Sequence, residues 1–282
     1  MNFSKHLQVA QKAAEEAGKI LLRYQKKLKA SEVESKKSLG LVTKADLLAE
    51  KKIKSILIKE FKKSLFLGEE ETFVNKSDPT KIKELYNSHE LTWVVDPLDG
   101  TTNFVHKLEC YCVCIGLLHF GKPVMGVVYR PYSGEFYFAT EGKGSFKKNL
   151  LDPNKRPQKL WVEGDKKKLK DSLLATGFAT EKGKTLEREF SLFFEMMKKS
   201  RGVRRLGSAA IDLCLVAEGV FQGFWEKNLA PWDITAAAVI CMEANIHMSD
   251  YKDQPFDPFQ RSTIACDKGI KRSLTKQIAL LY

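Results

Sequence analysis

Twelve consecutive residues, Trp93-Val94-Val95-Asp96-Pro97-Leu98-Asp99-Gly100-Thr101-Thr102-Asn103-Phe104, place cation-binding and anion-binding groups side by side. An apolar run delivers Asp96 at its end. Pro97 cannot donate a ladder hydrogen bond and forces the chain to turn. Asp99 follows three residues later, so both carboxylates can face one point. Gly100 allows positive φ and lets a ligand approach the backbone. Thr101 and Thr102 offer hydroxyls and N–H groups for an anion or a water. Two close carboxylates beside N–H groups suit a hard cation that bridges to a phosphate. Spacing alone leaves a second reading open, a turn in which both Asp side chains accept local N–H groups.

Three further segments carry related chemistry. Gly68-Glu69-Glu70-Glu71 is either a solvated acidic turn or a source of one more carboxylate for the same cation cluster. Pro231-Trp232-Asp233 opens an alanine-rich helix, where Asp233 reads as an N-cap. A cap residue points out of the helix start, so that role leaves metal binding open. Gly207-Ser208-Ala209-Ala210 opens another helix, with Ser208 as N-cap and N–H groups that favour phosphate or hydroxyl oxygens.

The elements that position these residues follow from periodicity. Leu7, Ala10, Ala14, Ala17, Leu21 and Tyr24 recur at helical spacing and predict a helix over residues 4–28. Gly40 breaks the chain. Thr43 with Asp46 fits a capping box that opens a second helix to about Lys63, with Leu47, Ile53, Leu57 and Phe61 inward. Leu91–Asp96 reads as a strand ending at Pro97. Cys112–Phe120, Val124–Arg130 and Glu135–Thr140 read as an antiparallel meander. Residues 143–170 are polar, contain Pro153 and Pro157, and read as a loop region at an edge. Leu173–Thr176 and Phe221–Glu226 read as strands. Leu186–Lys199, Ser208–Glu218 and Asp233–Ala244 read as helices, the second stopping at Gly219. Helices and strands are mixed rather than strictly alternating. That favours an α+β fold, a layered sandwich of sheets and helices, over a doubly wound parallel sheet.

The chain has 282 residues, 43% of them hydrophobic, which is enough to bury a core in one large domain or two modest ones. We expect a single domain over residues 1–282, divisible into halves at 1–150 and 151–282. No apolar run approaches the roughly 18 residues of a membrane span. The first residues, Met1 to Gln11, show no apolar secretory signal. The six cysteines do not resemble a disulfide framework, so the expectation is a reduced, cytoplasmic protein. Cys110, Cys112 and Cys114 alternate and would share one strand face as small buried hydrophobes, a thiolate metal site being the weaker alternative. The net charge of +12 is unevenly spread. Residues 1–63 carry a net of +9, residues 147–170 a net of +6, and residues 64–105 a net of −5. The Lys166–Lys168 run reads as a solvated loop. Carboxylates that converge repel one another unless a cation neutralises them.

Together these motifs resemble the inositol monophosphatase family of metal-dependent, lithium-sensitive phosphatases. The run Asp96-Pro97-Leu98-Asp99-Gly100-Thr101-Thr102-Asn103-Phe104 is specific to that family, and the segments at 68–70, 207–210 and 231–233 fall in the family's order. The resemblance covers residues 5 to 270. It implies an αβαβα layered sandwich of the sugar-phosphatase type, dependence on two or three Mg²⁺ ions, and a homodimer. It makes Glu69, Asp96, the Leu98 carbonyl, Asp99 and Asp233 metal ligands. Thr101 with Glu69 would orient the attacking water, and Asp46 would lie close to the metals. Gly100 and Thr101 would hold the phosphate through their backbones. Glu226 and the Ala209 N–H would meet substrate hydroxyls. The activity implied is hydrolysis of inositol monophosphate by direct in-line attack of a metal-activated water.

The chain departs from the family pattern at several positions. Ala236 to Ala238 stand where the family carries one or more glycines, and Asn245-Ile246 stand where it has a glycine pair. These changes bear on helix packing rather than on the metal ligands. Ala230 lies where some animal members have a histidine. A second reading keeps the chemistry and changes the substrate to fructose 1,6-bisphosphate, 3′-phosphoadenosine 5′-phosphate or NADP. Glu226 argues against a second phosphate there. A third reading, a nucleic-acid-associated module, rests on the +12 charge and lacks an interleaved aromatic-basic motif.

Overall fold

The computed structural model describes residues 2–27, 33–35, 41–75, 79–164, 167–178 and 183–282. Gly40 and Lys166, and the end of the first helix expected at residue 28, lie outside the described residues. In chain order the first half holds α1 (Ser4–Gln25), β1 (Val33–Ser35), β2 (Leu41–Thr43), α2 (Lys44–Glu60), β3 (Leu65–Gly68), α3 (Glu69–Asn75), α4 (Pro79–Ser88), β4 (Leu91–Asp99) and α5 (Thr101–Val105). The meander follows as β5 (Cys112–His119), β6 (Lys122–Arg130), β7 (Glu135–Thr140), β8 (Gly144–Asn149) and β9 (Gln158–Leu160). The rest is β10 (Leu173–Thr176), α6 (Lys184–Lys199), β11 (Gly202–Arg204), α7 (Ala209–Ala217), β12 (Gly223–Lys227), α8 (Pro231–Glu243), β13 (His247–Ser249), β14 (Ser262–Cys266) and α9 (Lys271–Ala279).

β3 to β9 form a seven-stranded sheet in sequence order, antiparallel except for the parallel β3–β4 pair. A five-stranded sheet has the order β11-β10-β12-β14-β13. Side chains alternate between faces along each strand and so sort themselves into layers. Val113, Ile115 and Leu117 of β5 pack with α1 and α2, whereas Cys112 and Cys114 pack with α7 and α8. Phe224 of β12 and Ala265 of β14 meet the same two helices, whereas Trp225, Ile264 and Cys266 pack with α6 and α9. The layers are therefore α1/α2, the large sheet, α7/α8, the small sheet and α6/α9. This is the five-layer αβαβα sandwich expected from the sequence.

Two expectations need correction. Residues 143–170 are not only an edge loop: β8 and β9 lie there and extend the large sheet. Their sequences, GSFKKN and QKL, carry lysines and lack the apolar–polar alternation that marks a strand. Leu47 does not point inward but is 48% exposed, whereas Ile53 and Leu57 are fully buried. The alanines of α8 raise no packing conflict, because the facing strands supply the space. A Cβ on Gly126 of β6 would lie 2.0 Å from the Ala236 carbonyl oxygen, and one on Gly116 of β5 would lie 2.6 Å from Thr235 Cγ2. Asn245 adopts φ of +68°, a region Asn tolerates, and Ile246 is buried in the central layer.

Candidate active site

A spacing of three would send Asp96 and Asp99 to opposite faces of a regular strand. The register prevents this. Asp96 pairs with Cys114 and Asp99 with Cys112, so β4 carries one residue more than β5 between them. The bulge falls at Pro97-Leu98, where proline lacks the N–H in any case. Both carboxylates consequently face the α7/α8 layer. Leu98 N–H donates to Asp96 Oδ1 at 2.8 Å and fixes the turn. Gly100 has φ of +91°, and a Cβ there would lie 2.8 Å from the Cys110 carbonyl oxygen, so only glycine fits.

Helix starts converge on this turn. Gly100 caps α5, whose first N–H groups belong to Thr101 and its neighbours. Thr101 Oγ1 lies 3.1 Å from the Leu98 carbonyl oxygen and 3.4 Å from Asp46 Oδ1. Asp46 is buried at the start of α2 in the expected capping box, where Oδ2 accepts from Thr43 N–H at 3.0 Å. Ser208 caps α7 and donates to Asp99 Oδ2 at 2.6 Å, while Ala210 N–H donates to the same oxygen at 2.8 Å. Asp233 is not the N-cap of α8 but its third residue. It reaches back to accept from Ala230 N–H at 2.7 Å, behind Pro231 in the first turn. Glu69 is the first residue of α3.

A cavity of about 160 Å³ lies between the ends of the two sheets. Of the residues singled out from the sequence, Asp99, Gly207, Ser208, Ala209, Glu226 and Asp233 line it. Asp96, Leu98, Gly100 and Thr101 belong to the same turn as Asp99, Asp46 reaches that turn through Thr101, and Glu69 acts on the aspartates through its charge. Burial lifts Asp96, Asp99 and Asp233 above the ordinary carboxylate range, and the neighbouring carboxylates, Glu69 included, push further. Burial raises Asp99 only to about 6, because hydrogen bonds from Ser208 and from the N–H groups of Ala210 and Ala209 favour its charged form and limit the rise. Burial also raises Glu226, followed by the charges of Asp212 and Asp99, with Arg205 opposing them.

The groups that converge here are carboxylates and the Leu98 carbonyl, all hard oxygens, and the repulsion among the carboxylates is what a divalent cation would relieve. The set fits Mg²⁺. Among the described residues, the ligand atoms that all lie within 4.8 Å of one another are those of Asp99, Cys112 and Cys114; no three of Glu69, Asp96, Asp99 and Asp233 gather that closely. Burial holds Cys114 well above the usual thiol range, so it remains a protonated, soft neighbour and suits the small-hydrophobe reading.

Sequence reasoning missed four residues. Glu50 of α2 is buried and accepts from Glu70 N–H at 2.8 Å and Glu71 N–H at 2.9 Å, which pins the start of α3 beside Glu69. Gly177 packs on Glu226, since a Cβ there would lie 2.0 Å from Oε1. Arg205 and Asp212 line the cavity. Only Asp212 carried a signal, as the one charge in the apolar run Ala209–Ala217.

The inositol monophosphatase family model matches residues 2–280. An inositol-1-monophosphatase of Synechocystis sp. is 36% identical over 252 residues, 89% of this chain and 81% of that protein. A fructose-1,6-bisphosphatase/inositol-1-monophosphatase of Aquifex aeolicus is 31% identical over 86% of this chain and 84% of its own length. The solved structure of inositol monophosphatase from Anabaena (Nostoc) sp. superposes with a TM-score of 0.79 at 31% identity, covering 99% of this chain and 96% of that one.

Proposed function

The chain belongs to the inositol monophosphatase family, and from that premise we propose that it is a Mg²⁺-dependent phosphomonoesterase hydrolysing inositol monophosphate to inositol and phosphate. The observation that carries this reading is the β4 bulge, which turns Asp96 and Asp99 to one face, where Asp233 lines the same cavity as Asp99. Glu69, Asp96, the Leu98 carbonyl, Asp99 and Asp233 would hold two or three Mg²⁺ ions. Bound there, such ions would supply charge that screens the phosphate dianion and lowers the pKa of adjacent water. The N–H groups of Gly100 and Thr101 would grip phosphate oxygens at the start of α5. Thr101 Oγ1, set between the Leu98 carbonyl and Asp46, would orient the attacking water together with Glu69. Glu226 and the Ala209 N–H would hold hydroxyls of the leaving alcohol. Attack is direct, with no covalent phosphoenzyme. The two halves, 1–150 and 151–282, would act as one unit, since Asp99 comes from the first and Glu226 and Asp233 from the second.

Family resemblance adds lithium sensitivity and a homodimer to the proposal. The six free cysteines fit a cytoplasmic setting. Among the described residues no helix is long and apolar enough to cross a membrane. A second reading, fructose 1,6-bisphosphate as substrate, is favoured by Arg205 at the cavity and by the double name of the Aquifex relative. A panel of phosphate esters compared by kcat/KM, with and without Mg²⁺, tests both. Inositol 1-phosphate should lead the panel. A preference for the bisphosphate would transfer the assignment to the second reading.

A further inference from the structure

Asp212 is 1% exposed in the middle of the apolar helix α7, and its Oδ1 is buried without a hydrogen-bond partner. A buried, unpartnered carboxyl oxygen is costly, and a residue kept at that cost calls for a partner from elsewhere. Asp212 lies one turn beyond Ser208, the residue that holds Asp99 in place. It lines the same cavity as Glu226, which belongs to β12 in the other layer. Asp212 is also the charged group that acts most strongly on Glu226. Asp212 and Glu226 therefore share the cavity wall with Asp99 and Asp233, and are the two carboxylates there that the metal-binding reading does not use.

The chemistry of that wall narrows what it can meet. A second phosphate would face two carboxylates against one arginine. An apolar group would leave both carboxylates unpaired. Arg205, whose guanidinium lies 5.9 Å from the Phe178 ring centroid, offsets part of the negative charge, so a neutral donor is favoured over a cation. The group that satisfies such a wall is a pair of hydroxyls, each donating one hydrogen bond. The cavity volume of about 160 Å³ suits a small ring or short chain rather than a nucleotide.

Building on the phosphatase reading above, we propose that Asp212 is a specificity-determining residue that accepts a hydrogen bond from a hydroxyl of the polyol, next to the hydroxyl held by Glu226. The cavity then selects phosphate esters whose alcohol carries at least two further hydroxyls within one small ring or chain. Esters without them leave Asp212 and Glu226 unpaired and are rejected, as sites built around buried polar groups do in general.

The test compares kcat/KM for inositol 1-phosphate, or the best polyol phosphate of a panel, with kcat/KM for butyl phosphate, which has no hydroxyl on its alcohol. Measurements use the Mg²⁺-loaded, full-length protein. Asp212→Leu should lower the ratio of the two by about fivefold or more, mainly through KM on the polyol ester, the range of one hydrogen bond. Asp212→Asn keeps one acceptor oxygen and should recover part of that loss. The melting temperature of Asp212→Leu should be at or above that of the wild type, because an unpaired buried carboxyl is replaced by an apolar group of similar size. A ratio within about twofold of wild type overturns the proposal. So does an equal loss on both esters accompanied by a lower melting temperature, which makes Asp212 a structural residue. Failure of the wild type to release phosphate from any ester is a separate outcome and counts against the phosphatase reading itself.

Discussion

Carboxylates crowded into one buried site hold their protons more tightly than they do in the unfolded chain. Asp99 titrates at about 6, Glu50 at about 7 and Asp212 at about 8. All three are raised, so between about pH 4 and about pH 8 the folded protein binds more protons than the unfolded one. Metal-free protein should therefore lose stability as pH rises through that window. Mg²⁺ needs the ionised forms and should raise the melting temperature more at pH 8 than at pH 5.5. Thermal scans in chelator, with and without added Mg²⁺, check both statements, and a flat or rising profile in chelator contradicts them. Glu50 offers a second case. Glu50→Gln leaves one N–H of α3 without its carboxylate partner, so the Mg²⁺ concentration for half-maximal rate should rise by about 10–100-fold. The rate at saturating Mg²⁺ should fall much less; a lower saturating rate with unchanged Mg²⁺ dependence would count against this role. The sequence made Asp96, Asp99 and Asp233 legible because their chemistry sits in dense local motifs. Glu50 was not legible, because its partners are backbone groups twenty residues away.

The elements bring these residues together through close approaches. β6 crosses α8 where Gly126 meets the Ala236 carbonyl, and α8 carries Asp233 in its first turn. Gly126→Ala should cost about 1–3 kcal/mol in denaturant unfolding and weaken Mg²⁺ binding, because α8 must shift to admit the methyl group. An unchanged unfolding midpoint would show that the helix yields freely. The same contact explains why alanines at 236–238 are tolerated: the missing volume lies on the sheet. Helices with caps and strands buried on both faces were readable, as the capping box at Thr43 and the run Leu173–Thr176 illustrate. β8 and β9 were not, since short strands at and next to the sheet edge that carry lysines look like loops in composition. The β4 bulge was invisible too, because register depends on the partner strand. Local sequence could supply the two aspartates but not the face they share.

At the scale of the whole molecule, the +12 charge and the chemistry are separate matters. Part of the basic surface is internally paired. Lys147 on β8 lies 2.6 Å from Glu135 and 2.9 Å from Glu218, and Lys19 on α1 lies 2.8 Å from Glu16. The remaining excess should steer a phosphate dianion over long range, so kcat/KM should fall about two- to fivefold as ionic strength rises from 50 to 300 mM, with kcat steady. Kinetics across that salt range test it, and a salt-independent kcat/KM removes the steering role. A complex with RNA or DNA that survives about 200 mM salt would instead revive the nucleic-acid reading. The most direct measurement is phosphate release from inositol 1-phosphate by wild-type protein and Asp96→Asn, each assayed in chelator, in Mg²⁺, and in Mg²⁺ with lithium. Turnover should require Mg²⁺, fall with lithium, and drop by far more than about tenfold in Asp96→Asn. Equal rates in chelator and Mg²⁺, or a variant within about tenfold of wild type, would contradict a catalytic metal centre built on the β4 bulge.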